Sequence, residues 1–285
     1  MTVKLKTSDK YLDFMRTPEK VMRLDRMGSS FPTRLSFMRT LIRRMAKEAW
    51  RFERTLRNVD KEGYGVSVYS AITPNRTYSL IAFTQEIPAD MRTDRVIAEV
   101  WDATFSLFDG VPTQADIDYL ANNTPLQEGG RYRPSELVLA RANKSLRVFE
   151  NIISSLASGV QPDLELISSV GYLMRTTAVY GSGKFGCADR AKIADRDECN
   201  APFQVELLAV YLIRWFTIDM VEELAQERGG KKAVRLDKNI SRFIGVGNST
   251  GLGMAPFLLK HPTLIHNWVV AKETALARVR SIETA

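Results

Sequence analysis

The chain has 285 residues, of which 45% are hydrophobic, and it carries a formal net charge of +7. This composition excludes a disordered or collagen-like chain and supports one large domain or two smaller ones, while the positive charge favours anionic partners. Only two cysteines are present, Cys187 and Cys199, which excludes a disulfide framework and is typical of a reducing compartment. Because the first residues lack the apolar core of a signal peptide, we expect a cytoplasmic protein.

Residues 34–57 carry apolar side chains at alternating intervals of three and four, which is typical of a helix that packs along a narrow seam. The positions that follow this spacing are Leu35, Met38, Ile42, Met45, Ala49, Phe52 and Leu56. Most of the charged residues between them are arginines. The pattern predicts one basic helix over 34–57. Its arginine face lies in solvent, pairs with acidic residues elsewhere in the chain, or binds the phosphates of a nucleic acid or a membrane.

Residues 65–84 change to a β-strand pattern, with β-branched and aromatic side chains on both sides of Pro74-Asn75. We predict a β-hairpin here. Residues 95–108 fit either a third strand or a helix, and we favour the helix. Further helices are predicted over 113–122 with Thr113 as the cap, over 134–158, and after Pro162.

The longest apolar segment lies between Asn200, a candidate N-cap, and the pair Gly229-Gly230, a candidate stop signal. Its charged residues interrupt the apolar run too often for a membrane span, so we predict a central buried helix near 201–228. The expected fold is α+β and predominantly helical, with a small N-terminal antiparallel sheet. We divide it into an N-terminal subdomain (1–125) and a helical subdomain (126–285), and expect a homodimer formed through a heptad-patterned helix.

A first glycine-rich loop, Tyr180 to Gly186, lies between Arg175 and Arg190. Its glycines allow close approach of the backbone to a ligand, and Arg175, Ser182 and Lys184 supply donors for an anion. The loop lacks the spacing of a Walker A motif. Cys187 follows it and is a candidate thiolate nucleophile.

A second glycine-rich loop spans 245–253 and contains Asn248, Ser249 and Thr250, which are candidate anion ligands or simply helix caps. Too few residues follow it to build a dinucleotide-binding βαβ unit, so a nicotinamide dinucleotide is disfavoured. The only histidines, His261 and His266, are five residues apart and do not form a helical zinc pair.

These patterns together predict an enzyme that acts on a small carboxylate or phosphate metabolite by acid/base chemistry. Arg175, Ser182, Lys184 and the turn 248–250 would bind the anion. The candidate catalytic residues are Tyr180, His266 and Cys187. No metal site or cofactor is indicated, and the patterns fit a lyase, a hydrolase or a transferase. The alternatives are a nucleic-acid-binding protein that uses the basic helix and a scaffold subunit without chemistry.

Overall fold

A computed structural model describes residues 37–92, 102–124, 133, 135–170, 173–181, 196–199 and 204–243. Within these ranges the strands are β1 (Arg51–Val59), β2 (Gly65–Ile72), β3 (Thr77–Thr84), β4 (Ala103–Asp109), β5 (Glu136–Lys144) and β6 (Met174–Gly181). The α-helices are α1 (Phe37–Lys47), α2 (Gln114–Asn123), α3 (Leu146–Ala157), α4 (Leu164–Val170), α5 (Gln204–Gly229) and α6 (Lys238–Phe243).

The six strands form one sheet in the order β1-β2-β3-β4-β5-β6, and every neighbouring pair is antiparallel. The predicted predominantly helical fold with a small N-terminal sheet is therefore wrong. The hairpin predicted at 65–84 is present as β2 and β3, but it forms the second and third strands of a sheet that continues to Gly181. This sheet crosses residue 125, at which we placed the boundary between subdomains.

The single helix predicted over 134–158 is a strand followed by a helix, β5 and α3. The apolar spacing that suggested one helix belongs to two elements that face the same core. Val138, Ala140 and Ala142 alternate along β5, whereas Phe149 and Ile152 lie on one side of α3, and all five are buried. Since β5 is buried on both sides, its near-continuous apolar run lacks the alternation that identifies a half-exposed strand.

The basic helix predicted over 34–57 is also wrong, because α1 ends at Lys47 and β1 begins at Arg51. Ala49 has a φ of 51°, and the Trp50 N–H donates to the Met45 carbonyl at 2.9 Å, which together close the helix in a left-handed C-cap. This cap normally uses glycine, so an alanine at position 49 does not indicate the end of a helix. Leu41 and Met45, the buried side of α1, pack in the core of their own chain.

Residues 103–109, for which we favoured a helix, form strand β4, while 95–101 lie outside the described residues. β4 has six consecutive buried residues and lies between β3 and β5, so it is a central strand. The helix predicted at 113–122 is present as α2. It has a capping box in which the Thr113 hydroxyl accepts from the Asp116 N–H and the Asp116 carboxylate accepts from the Thr113 N–H.

The helix predicted near 201–228 is present as α5, which packs over one face of the sheet beside α3. Phe216 of α5 contacts Tyr69 and Phe105 of the sheet edge to face, with ring centroids 5.9 and 5.5 Å apart. A smaller cluster on other strand positions joins the sheet to α2 through Ile117 and Leu120. No helix in the described part of the chain is long and apolar enough to cross a membrane.

Candidate functional site

Two of the predicted site residues, Arg175 and Tyr180, lie on strand β6, where Arg175 pairs with Asn143 and Tyr180 with Leu139. Their backbones are about 16 Å apart at roughly 3.3 Å per strand residue. The remaining predicted residues lie outside the described part of the chain and stay predictions: Ser182, Lys184, Cys187, Asn248, Ser249, Thr250 and His266.

Arg175 lies near the first residue of β6, at one end of the strands of the sheet, and we call this end of the strands the edge that carries the candidate site. In the antiparallel meander, β1, β3 and β5 end at the edge where β2, β4 and β6 begin. This edge therefore collects the turn between β1 and β2, Asp102 just before β4, Lys144 at the end of β5, and the first turn of α3. Two of these side chains, Asp102 and Lys144, are charged and buried.

Lys144 is only 9% exposed, although lysine is among the residues least often buried. Its Nζ atom lies 5.1 Å from the centroid of the Tyr64 ring and 5.9 Å from that of the Phe149 ring. No other described residue accepts a hydrogen bond from Nζ or places a carboxylate oxygen within 4.0 Å of it. The ammonium thus has two aromatic faces as neighbours, which stabilise a cation less than a direct carboxylate does.

Asp102 is fully buried beside Lys144. One carboxylate oxygen accepts from the Lys144 backbone N–H at 2.6 Å, and the other accepts from the Asn143 side-chain amide at 3.5 Å. Burial raises the pKa of Asp102, and the hydrogen bond from the Lys144 backbone and the charge of Lys144 oppose this rise. Burial lowers the pKa of Lys144, and Asp102 and Glu150 oppose that fall. The two pKa values therefore move towards each other, which favours exchange of a proton at this edge.

The turn between β1 and β2 holds the Tyr64 ring beside Lys144. The Asp60 carboxylate accepts from the backbone N–H groups of Glu62 and Tyr64, both at 2.9 Å. Gly63 has a φ of 88°, in the left-handed region that glycine adopts without strain, and its carbonyl accepts from the Thr84 hydroxyl at 2.7 Å. The aromatic neighbour of Lys144 is thus fixed by a hydrogen-bonded turn.

Ser145, at the N-cap of α3, adds a polar group to the same edge. Its side chain makes no capping hydrogen bond, and among the described residues its buried hydroxyl oxygen has no partner. The first turn of a helix carries a partial positive charge and free N–H groups, which favour an anion. Lys144 and Ser145 therefore place a cation and a free hydroxyl at the positive end of a twelve-residue helix.

A second buried polar cluster lies around Glu198, at the opposite end of the strands. Its carboxylate accepts from the Thr73 hydroxyl at 2.7 Å and from the Tyr78 hydroxyl at 3.2 Å. Arg196 pairs with Asp109 through Nε at 3.0 Å. These contacts anchor residues 196–199 to the sheet, so we assign the cluster a structural role.

Two of the three arginines of β1, Arg54 and Arg57, face acidic residues of α5. Arg54 pairs with Asp219 at 3.6 Å and with Glu223, and Arg57 pairs with Glu223 and with Glu227 at 3.0 Å. Beside this network lies a small cleft, lined by Tyr69 and Phe216 among others, which has room for one water molecule. The arginines of the predicted basic helix are thus partly neutralised within the chain.

Lys144 and Asp102 were missed in the sequence because both lay in or next to segments whose secondary structure was misassigned. The signal that would have identified Lys144 is its position at the end of a run, Leu137 to Ala142, that is apolar except for Arg141 and lies directly before a helix cap. A lysine at the end of a fully buried strand is expected to be desolvated, whereas one in the middle of an amphipathic helix is expected to be in solvent.

We expect the pKa of the Lys144 amine to lie below the ordinary lysine value of 10.5, because burial disfavours the charged form. The measurement is an NMR titration of protein with isotope-labelled lysine side chains, in which Lys144→Arg assigns the resonance by its loss. A Lys144 resonance that titrates at or above 10.5 would contradict the described environment.

Comparison of the chain with family models, with curated proteins and with solved structures found no match. The functional assignment therefore depends on the geometry around Lys144.

Proposed function

We propose that this protein is an enzyme that acts on a small anionic metabolite by acid/base chemistry, with Lys144 as the residue that takes up and releases the proton. The observation that carries the proposal is a buried lysine whose ammonium has no hydrogen-bond acceptor among the described residues. Burying a charge without a partner is costly, and such positions are concentrated in functional sites.

Asp102 supports the proton-transfer role. Proton transfer from an amine with a lowered pKa to a carboxylate with a raised pKa requires less free energy than transfer between the same two groups in water. Asn143 and the Lys144 backbone hold that carboxylate in position through two hydrogen bonds. In this proposal the Lys144 amine contacts the substrate, and Asp102 is a positioning residue that stabilises the protonated form of Lys144.

The surroundings of Lys144 support an anionic substrate. The first turn of α3 and the free Ser145 hydroxyl offer donors, and the backbone of Arg175 lies opposite Asn143 on the neighbouring strand. A carboxylate or phosphate at this edge would gain from the helix dipole and from the positive charges. Lys184 and the turn 248–250 remain further candidates for binding the anion.

The proposal predicts a ligand-dependent rise in melting temperature. A phosphate or carboxylate at about one hundred times its Kd adds roughly 2.7 kcal/mol to the free energy of unfolding, which raises Tm by about 5 °C. We expect this rise to be absent in Lys144→Met and intact in Lys61→Met, a matched change at a side chain that is 85% exposed. Each variant is compared with its own ligand-free Tm by differential scanning fluorimetry.

Two results would remove this proposal: a broad panel of phosphates and carboxylates that leaves Tm unchanged, or a full ligand effect in Lys144→Met. The first result is what a scaffold subunit without chemistry would give. We do not propose nucleic-acid binding, since the helix on which it depended ends at Lys47 and the arginines Arg54 and Arg57 pair with carboxylates of α5.

A further inference from the structure

We infer that the substrate carries an aldehyde or ketone group and that the Lys144 amine forms an imine with its carbonyl carbon. The inference rests on the proposed function, because it concerns the same site, and it adds the chemical class of the substrate and a covalent step. An oxo acid, with a carbonyl next to a carboxylate, matches both the amine and the anion-binding features of this edge.

The geometry leaves the amine free to react. Nothing in the described part of the chain accepts a hydrogen bond from Nζ, so no acceptor has to be displaced before attack. The rings of Tyr64 and Phe149 lie beside the amine, and the side chain is only 9% exposed, so its contact with water is reduced, which favours a condensation that releases water. A neutral amine is the nucleophile in such reactions, and desolvation between apolar groups increases its neutral fraction.

The other lysines in the described ranges differ from Lys144 in that all are exposed: Lys47, Lys61, Lys231, Lys232 and Lys238. They therefore serve as internal controls for the intrinsic reactivity of a solvated lysine in the same molecule. A difference between them and Lys144 reports on the site.

The step balances in atoms and charge. Lys144 first gives one proton to Asp102 or solvent, and its nitrogen lone pair then attacks the carbonyl carbon to form the C–N bond. The carbonyl oxygen takes up protons and leaves as water, as the nitrogen shares its remaining lone pair with carbon. The net change is one ammonium and one carbonyl compound converted into one protonated imine and one water.

The test is reductive trapping of the wild-type protein with glyoxylate or pyruvate as the probe and cyanoborohydride as the reductant, followed by peptide mass spectrometry. We expect the reduced adduct to accumulate on Lys144 about tenfold faster than on Lys61, because the site binds and orients the oxo acid. Asp102→Asn should shift the pH dependence of the trapping rate at Lys144 to lower pH, because the lost carboxylate no longer stabilises the ammonium, while leaving trapping at Lys61 unchanged.

If the adduct accumulates on Lys144 no faster than on Lys61, the inference that Lys144 forms an imine is wrong. If ligands that are not carbonyl compounds still raise Tm in a Lys144-dependent way, the proposed acid/base function survives that result. If trapping at Lys144 is no faster and no ligand raises Tm in a Lys144-dependent way, both the imine and the proposed acid/base function are wrong. Because the wild-type protein carries the decisive measurement, the outcome does not depend on whether any variant folds.

Discussion

Gly229→Ala is expected to lower the free energy of unfolding by about 3 kcal/mol, because there is no room for a methyl group at this position. A Cβ on Gly229 would lie 2.6 Å from the Cα of Ala157 and 2.8 Å from its carbonyl carbon, and closer still to the carbonyl oxygen. These are backbone atoms at the end of α3 and cannot rotate away. The end of α5 would have to separate from α3, and the two helices share much of the core.

Gly230→Ala is the matched control. Gly230 has a φ of 55°, and a Cβ added there would meet nothing within 4 Å. Only the cost of the left-handed conformation applies, about 1 kcal/mol. Urea denaturation of both variants, followed by circular dichroism, measures the difference. Equal losses in the two variants would show that the close approach of α5 to α3 does not contribute to stability.

The sequence identified both glycines as one stop signal for α5 but did not distinguish their roles. That a helix ends near Gly229 follows from local conformational preference, which a sequence pattern contains. That Gly229 must be small depends on Ala157, more than seventy residues earlier in the chain, and no local pattern contains this contact. Predictions based on local signals, such as the Thr113 cap and the β2–β3 hairpin, were confirmed for the same reason.

The sheet was underestimated because its central strands are buried on both faces. β4 and β5 lack the alternation of apolar and polar residues that identifies a half-exposed strand. Their residues were therefore assigned to helices on the basis of helical apolar spacing. This error concealed the candidate site, since Lys144 and Asp102 are adjacent only once β4 and β5 are paired. Of the predicted site residues, Arg175 alone is placed by its backbone at that edge, opposite Asn143.

Within the candidate site, the largest changes in the free energy of unfolding are expected from removing one of the two buried charges and leaving the other. Asp102→Asn should lower the free energy of unfolding by about 3 kcal/mol at neutral pH, because it leaves a buried ammonium without its counter-charge. Lys144→Met should cost a similar amount, because it leaves the Asp102 carboxylate uncompensated and raises the pKa of Asp102 further. A raised pKa means that the folded state binds more protons, so the loss in Lys144→Met should shrink as the pH falls through that pKa.

The double variant Asp102→Asn/Lys144→Met decides why the charges are present. Asn and Met need no counter-charge, so we expect urea denaturation at neutral pH to show a double variant that loses about 3 kcal/mol, no more than either single variant, which is a coupling energy of about 3 kcal/mol. A double variant as stable as the wild type would mean that folding gains nothing from this lysine and aspartate, which leaves chemistry as the reason for burying them. If the double variant instead loses the sum of the two single changes, the residues act independently, and a stabilising interaction between the charges of Lys144 and Asp102 is excluded.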